Sequence, residues 1–309
     1  MIERKRAASN VKNAASNVVA SCVTGAAVIA ITNPLDCLKQ RWQLNRSPHS
    51  FPSFVSDILR CEGLIRGLWV HGLATNCLAC TISVGCRIGL YPVLRDALSP
   101  AGFVTPGAMF ASGLAGGALG YVASAPFFYA SRVAQAEAGL LSGGVLATGA
   151  RAGSAPSANG TSGIGMLRHL LGKEGFFGLW RASHVLVARG ALMSSTQLGV
   201  YDASKRGLIS RGFEDGTAVH IMASAAASIA MTTAIAPLDV VLTTYQAGPF
   251  VGRPYASPLA CAAALVAEGG AAALMRGWLP LWGRFLPTSF LTFVIYEQLR
   301  WRMMGSFLD

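Results

Sequence analysis

Five polar side chains lie at fixed distances before three tyrosines. Arg87, Gln197 and Thr292 precede Tyr91, Tyr201 and Tyr296 by four residues, while Ala79, Arg189 and Arg284 precede them by twelve. Positions eight apart share roughly one face of a helix with 3.6 residues per turn. Arginine binds carboxylate or sulfate in a bidentate manner, through two parallel N–H donors of its planar guanidinium group. The pattern predicts an anion site, with Gln197 and Thr292 orienting a substrate that has two anionic ends or a doubly charged tetrahedral anion.

The composition indicates a membrane protein. Only 13% of the 309 residues are charged and 52% are hydrophobic, whereas soluble domains carry about 25% charged residues. Runs 13–35 and 97–131 contain no charged residue, and 216–238 contains only His220. Three further runs, 73–91, 182–201 and 278–296, are more polar. Each of the six runs has about the 20 residues that span a bilayer or more, so we predict six transmembrane helices.

The net charge of +11 has to be explained by an anionic partner. Nucleic acid is excluded because the chain lacks basic blocks with interleaved aromatic residues, so anionic lipid or an anionic substrate fits better. Seven cysteines scattered through apolar segments argue against a disulfide framework. No constellation typical of an enzyme or a metal site stands out, and we expect neither catalytic residues nor a metal.

One motif occurs three times. NPLDCLKQRWQ, SAPFFYASRVAQ and IAPLDVVLTTYQ each place glutamine nine residues after proline, and an acid-glycine pair follows each of them. The repeats cover 11–104, 105–213 and 214–304, and each reads as a long helix, a short amphipathic helix and a second long helix. The small residues at 113–120 favour close helix contacts. The Gly/Ser/Ala-rich segment 139–163 is extra to the second repeat and reads as a flexible loop.

Three copies of P-x-[DE]-x-x-[KR]-x-[KR]-x-Q, each followed by E-G, resemble the mitochondrial carrier family. Phe128 stands at the acid position of the second copy, and Leu242 stands at the base position of the third. These two replacements make the chain most similar to the oxaloacetate/sulfate and dicarboxylate branch of the family. The resemblance implies an all-α fold of six transmembrane helices in three pseudo-threefold repeats with short matrix helices. It also implies the mitochondrial inner membrane and alternating access to a central site.

The resemblance also implies a matrix gate, which closes that site on the matrix side. Its residues are Pro34, Asp36, Lys39, Gln43, Pro126, Gln135, Pro237, Asp239 and Gln246. We expect each base to pair with the acid of the following repeat, so that Lys39 meets Phe128, Ser131 meets Asp239, and Leu242 meets Asp36. On this pairing no complete ion pair between repeats remains, and the matrix gate is weak.

A cytoplasmic gate is implied at the opposite end. Its residues are Tyr91, Arg95, Tyr201, Asp202, Lys205, Tyr296, Glu297 and Arg300. Pro92 stands where the first acid belongs, which leaves Arg95–Asp202 and Lys205–Glu297 as the expected pairs. Such pairs close in one state only and set the balance between states.

The resemblance places bound cardiolipin at helix starts, where free backbone N–H groups favour phosphate. The candidate residues are Gly72, Gly175, Trp180, Arg181, Arg276 and Gly277. Helix capping and anchoring by tryptophan at the membrane interface explain the same residues. We expect no other cofactor.

Two functions remain open on the sequence. The first is a carrier of a small dianion such as oxaloacetate, malonate, malate or sulfate, with the arginines as its site. The second is a non-transporting structural subunit of an inner-membrane, respiratory-type complex, which the eroded matrix gate favours. A proton-leak or fatty-acid function is a weaker alternative. Structural pairing or snorkelling of each arginine also remains open.

Overall fold

A computed structural model describes residues 2–45, 50–98, 106–157, 163–214 and 216–304. The first repeat holds α1 (Ile2–Leu44), α2 (Phe51–Cys61) and α3 (Leu73–Ala97). The second holds α4 (Pro106–Ala136), α5 (Gly163–Gly178) and α6 (Ser183–Ile209), and the third holds α7 (Thr217–Ala247), α8 (Pro258–Gly269) and α9 (Trp278–Met304). Short helical turns at Ile65–Trp69, Gly248–Phe250 and Ala271–Met275 join the helices.

The six long helices form a closed ring. Each packs on the next in the order α1, α3, α4, α6, α7, α9, and α9 returns to α1. The first helices of the three repeats, α1, α4 and α7, also contact one another in every pairing. This arrangement confirms the three-repeat, six-helix fold that the sequence predicts.

Four described helical segments are long and apolar enough to cross a membrane. They are Val18–Leu44, Leu73–Ala97, Ala108–Ala136 and Ala218–Phe250, and a bent pair, Pro258–Gly269 with Ala271–Phe285, adds a fifth if it counts as one span. Six spans were expected from the sequence. Helix α6 is less apolar, because its residues 183–201 include Arg189, His184 and the polar run 194–197.

Small residues bring neighbouring helices into close contact. A methyl group added at Gly120 of α4 would lie 2.6 Å from the backbone oxygen of Ser83 on α3, and one at Gly116 would lie 3.4 Å from that of Arg87. Between α1 and α3, a methyl group at Gly25 would lie 3.0 Å from Cys80 Sγ. The small-residue stripe at 113–120 therefore packs α4 against α3, as the sequence predicts.

The extra segment of the second repeat is folded where the structure describes it. Leu141–Ser142 and Val145–Leu146 pair as a two-stranded antiparallel hairpin, and the side chain of Leu146 is buried. Glu137 at the end of α4 bonds to Arg151 and Ser157, which fastens the hairpin to the helix. Residues 139–157 therefore contain a short hairpin that the composition does not predict, and the flexibility of this segment stays a prediction; residues 158–162 lie outside the described residues.

We expect Gly120→Val to lower the unfolding temperature of the detergent-purified protein by several degrees, because the valine side chain meets the α3 backbone, which cannot move aside. Gly113→Ala is the matched control on the same helix, since a methyl group there meets nothing within 4 Å. Alanine gains about 1 kcal/mol of helix propensity over glycine, so this control should be neutral or stabilising. Equal effects of the two changes on thermal unfolding would contradict the close α3–α4 contact.

Candidate functional site

One buried carboxylate joins all three repeats. Asp239 of α7 accepts a hydrogen bond from Lys39 Nζ at 2.7 Å and from Gln43 Nε2 at 2.9 Å, both on α1. It also accepts one from Arg189 Nε of α6 at 2.8 Å. Asp239 is only 2% exposed, and charge-assisted bonds of this length are the strong ones. The matrix gate therefore contains a complete ion pair between repeats, contrary to the sequence-based expectation.

A second gate carboxylate is held by a predicted substrate residue. Asp36 Oδ1 accepts from Arg284 Nη1 of α9 at 2.6 Å, and its Oδ2 accepts from Asn76 of α3 at 3.2 Å. Ser131, which stands at the base position of the second motif, donates instead to the backbone oxygen of Gly72 at 3.1 Å. Arg284 thus supplies the positive charge that Ser131 does not.

The third gate contact is apolar. Leu242 is buried in a hydrophobic cluster with Ala125 and Leu186, and Phe128 packs against that cluster. Together with Lys39–Asp239, this cluster shows that two of the three base positions meet the acid position of the preceding repeat around the ring. The predicted pairing with the following repeat is wrong. The sequence could not decide between the two directions of pairing, because the motif spacing is the same for both.

The three motif glutamines have different partners. Gln43 bonds to Asp239 as described, whereas Gln135 donates to Asn33 Oδ1 at 3.1 Å. Gln246 accepts from Arg132 Nη1 at 2.8 Å and donates to the backbone oxygen of Arg181 at 2.7 Å. Only one glutamine braces an ion pair, although each follows its proline (Pro34, Pro126 or Pro237) inside a first helix.

Sequence reasoning missed one ion pair within the first repeat. Arg41 Nη2 donates to Glu62 Oε1 at 2.7 Å, and Arg41 Nη1 donates to the backbone oxygen of Gly67 at 3.1 Å. The second base of the motif and the E-G pair were the available signals. Glu174 of the second repeat accepts from Tyr129 at 2.9 Å instead, because the position equivalent to Arg41 is Val133.

The predicted anion site divides into two levels. Arg189 and Arg284 lie at the gate carboxylates, and both are largely buried. Arg87, Gln197 and Thr292 are exposed and stand eight residues further along their helices, a rise of about 12 Å. Side chains of α3, α6 and α9 tilt toward the helix N-termini, which is toward the gate.

The upper level makes few contacts. Thr292 Oγ1 donates to the backbone oxygen of Thr288 at 2.7 Å. Arg87 forms no hydrogen bond or ion pair with any residue that the structure describes. The structure therefore brings two of the three predicted arginines to the gate and leaves Arg87 above it.

The predicted cytoplasmic gate pair Arg95–Asp202 is not formed. Arg95 bonds to its neighbour Asp96 at 2.8 and 2.9 Å, and Asp202 is exposed. The hydroxyl of Tyr201 lies 2.6 Å from His220 Nδ1 on α7. Tyr91, Lys205 and Tyr296 are half-buried, while the side chains of Glu297 and Arg300 lie outside the described part of the molecule. The ion pairs of Asp36 and Asp239 therefore form at the end of the ring that carries the proline motifs, while Arg95 and Asp202 stay unpaired with each other at the opposite end.

Several predicted lipid residues contact the protein itself. Gly72 and Gly277, at the starts of α3 and α9, have φ of +64° and +86°, and a methyl group on them would lie 2.7 Å from the Ser131 oxygen and 2.9 Å from Gln43. Trp180 Nε1 donates to the backbone oxygen of Val122 at 2.8 Å. Gly175 has a φ of +72°, which interrupts α5. Arg181 lies 4.4 Å over the Tyr245 ring, and Arg276 lies 5.3 Å from the Trp42 ring.

The residue before Gly72 adds no positive charge to such a lipid site. Burial lowers the pKa of His71 to about 4, so its imidazole is neutral at physiological pH. The start of α3 therefore offers backbone N–H groups but no side-chain cation from His71. Cardiolipin binding at these helix starts stays a prediction.

Comparison with known proteins gives consistent family matches. The family model described as "Mitochondrial carrier protein" matches residues 10–101, 103–212 and 213–307. The mitochondrial 2-oxoglutarate/malate carrier protein of Bos taurus is 30% identical over 302 residues, covering 93% of this chain and 90% of that protein. Mitochondrial uncoupling protein 4 of Arabidopsis thaliana is 28% identical over 326 residues, covering 94% and 97%.

A third relative comes from a distant organism. The mitochondrial substrate carrier family protein ucpB of Dictyostelium discoideum is 29% identical over 292 residues, covering 91% of this chain and 92% of that protein. Proteins of this family are transporters rather than enzymes, and they sit in the mitochondrial inner membrane. Because the family model matches three times in succession over nearly the whole length, the chain belongs to the mitochondrial carrier family.

Proposed function

We propose that this chain carries a small dianion, of the oxaloacetate, malonate, malate or sulfate kind, across the mitochondrial inner membrane by alternating access. The observation that supports this best is that Arg189 and Arg284, two arginines predicted to bind substrate, hold the two gate carboxylates. The similarity to 2-oxoglutarate/malate carriers agrees with a dicarboxylate substrate.

The two arginine pairs suggest how substrate opens the gate. A carboxylate or sulfate oxygen that reaches Arg284 or Arg189 takes the place of Asp36 or Asp239, because each guanidinium has a limited set of donors. The displaced gate carboxylate then loses a partner in a poorly solvated place, where an unpaired charge is costly. Substrate binding therefore destabilises the closed matrix gate, and differential binding of this kind is what shifts a two-state equilibrium.

The upper level would make the first contact with substrate. Arg87 is exposed and makes no ion pair with the described residues, so it is available to an anion that enters from the cytoplasmic side. Gln197 and Thr292, at the equivalent places on α6 and α9, add neutral donors and acceptors that orient the substrate. The anion then passes from Arg87 to the arginines at the gate.

The structural-subunit alternative loses its main support. It rested on a matrix gate without a complete ion pair, whereas Lys39 and Asp239 form one. Bound cardiolipin at Trp180 and Arg181 remains part of the proposal.

We expect purified protein in liposomes loaded with malonate to take up labelled malonate or sulfate with saturable kinetics. Arg284→Ala and Arg189→Ala should each lower uptake by about 30-fold or more, since loss of a charge pair of this kind costs roughly 2–5 kcal/mol. Arg60→Ala, an exposed arginine on α2, is the control for net charge. Folded wild-type protein that exchanges no dicarboxylate and no sulfate would refute the proposed function.

Competition between substrate and gate gives a second prediction. Asp36→Asn frees Arg284 from its carboxylate, so the malonate concentration at half-maximal uptake should fall about 3- to 10-fold. That range corresponds to roughly 1 kcal/mol of released charge-assisted bonding. The maximal rate should fall as well, because the closed gate loses a partner. Asp57→Asn on the exposed face of α2 is the matched control, and an unchanged half-saturating concentration in Asp36→Asn would contradict the competition.

The direction of gate pairing gives a third prediction. Leu242→Lys buries an uncompensated cation in the apolar cluster around Phe128, which should cost about 3–5 kcal/mol. The double change Phe128→Asp with Leu242→Lys creates an ion pair there and should recover most of the lost thermal stability. If Leu242→Lys alone were as stable as wild type, Leu242 would have to meet a carboxylate such as Asp36, and the observed pairing direction would be wrong.

A further inference from the structure

Four cations and two carboxylates share the closed matrix gate. Lys39, Arg189 and Arg284 each pair with Asp36 or Asp239, as described. The fourth cation, Arg132 of α4, lies within electrostatic range of Arg189, Arg284 and both carboxylates. Among the described residues, the gate therefore holds two positive charges more than it can neutralise.

Arg132 is the cation without a carboxylate. Its side chain is 92% buried, since only 8% is exposed, and its one hydrogen bond to a described residue goes from Nη1 to the neutral amide oxygen of Gln246. The Phe128 ring, 5.8 Å from the guanidinium carbon, adds a cation–π contact. A neutral acceptor and a ring of this kind do not offset the desolvation of a guanidinium. Burying Arg132 therefore costs free energy in the empty protein.

The repeats themselves show that the fold does not require a charge there. Arg132 stands six residues after Pro126, and the equivalent positions are Gln40 after Pro34 and Thr243 after Pro237. Both of these uncharged residues are buried as well. Two of three equivalent helices therefore complete the gate with a neutral side chain, and the arginine needs an explanation other than packing.

We propose that Arg132 is a specificity-determining residue that receives one anionic group of the substrate. Resting on the proposed function, this inference deepens it by assigning the charge of the substrate. Two excess positive charges match a species with two negative charges, and the match fails for a monoanion of similar size. A substrate anion that binds Arg284 or Arg189 must displace Asp36 or Asp239. At Arg132 no carboxylate has to be displaced, so its attraction for the anion is not offset by the loss of an ion pair.

The test compares malonate with monomethyl malonate, which has a similar size and one negative charge fewer. Arg132→Gln and Arg132→Thr introduce the residues that the first and third repeats carry. In proteoliposomes we expect either change to raise the half-saturating malonate concentration about 10- to 100-fold, the effect of one unit charge at roughly 7 Å with an effective dielectric near 20. The value for monomethyl malonate should change less than threefold.

Two control variants distinguish an effect of the Arg132 charge from an effect of its hydrogen bond to Gln246. Arg132→Lys keeps the charge and should retain the preference for malonate, and Gln246→Ala removes the neutral partner of Arg132 but leaves the cation. If Gln246→Ala reproduces the effect of Arg132→Gln, or if Arg132→Gln weakens both anions equally, Arg132 is a brace and the inference is overturned. The inference is also overturned if both neutral variants fail to fold in thermal unfolding, because that result indicates a structural role.

The results that would refute the proposed function differ from those that would refute only the role of Arg132. Wild-type protein that binds and transports neither malonate nor sulfate would refute the carrier proposal and this inference with it. Wild-type protein that transports malonate, combined with Arg132 variants of unchanged selectivity, would refute the inference alone.

Discussion

A single buried carboxylate constrains the closed form of this protein. Asp239 belongs to the third repeat, two of its donors belong to the first, and Arg189 belongs to the second. An ionised carboxylate in such a place is tolerable only when its lone pairs are satisfied. The three repeats must therefore approach closely enough to bond to it together, and any motion that separates one of them exposes an unpaired charge.

The starts of the second helices connect this constraint to the rest of each repeat. Gly72, Ala182 and Gly277 stand at these starts, and each adopts a left-handed backbone conformation. Gly72 abuts Ser131, and Gly277 abuts Gln43. Glycine adopts such φ values without strain and leaves room for the neighbouring helix, whereas Ala182 adopts them at a cost. Opening the gate must therefore shift α3 and α9 as well as the first helices.

Much of this arrangement follows from the sequence. Apolar runs and a threefold motif predict the ring of long helices, and the tyrosine spacing places Arg189 and Arg284 at equivalent points on α6 and α9. The direction of gate pairing does not follow, because a spacing repeated in every unit is compatible with either sense around the ring. The hairpin within residues 139–157 does not follow either, because it depends on contacts of Glu137 with Arg151 and Ser157 that the local Gly/Ser content does not reveal. The motif spacing assigns no partner to Arg132, because this residue stands one position beyond the motif base.

The substitutions in the gate change what its closure depends on. A gate of three ion pairs made only from motif residues closes with the same strength whether or not the central arginines are occupied. Here Phe128 and Leu242 belong to an apolar cluster that carries no charge, and Asp36 pairs with Arg284. On the proposed function, closure would weaken whenever an anion occupies that arginine, and each 1.4 kcal/mol of weakening would shift the balance of states tenfold. The missing motif charges at Phe128, Ser131 and Leu242 would then couple opening of the gate to occupancy of the site.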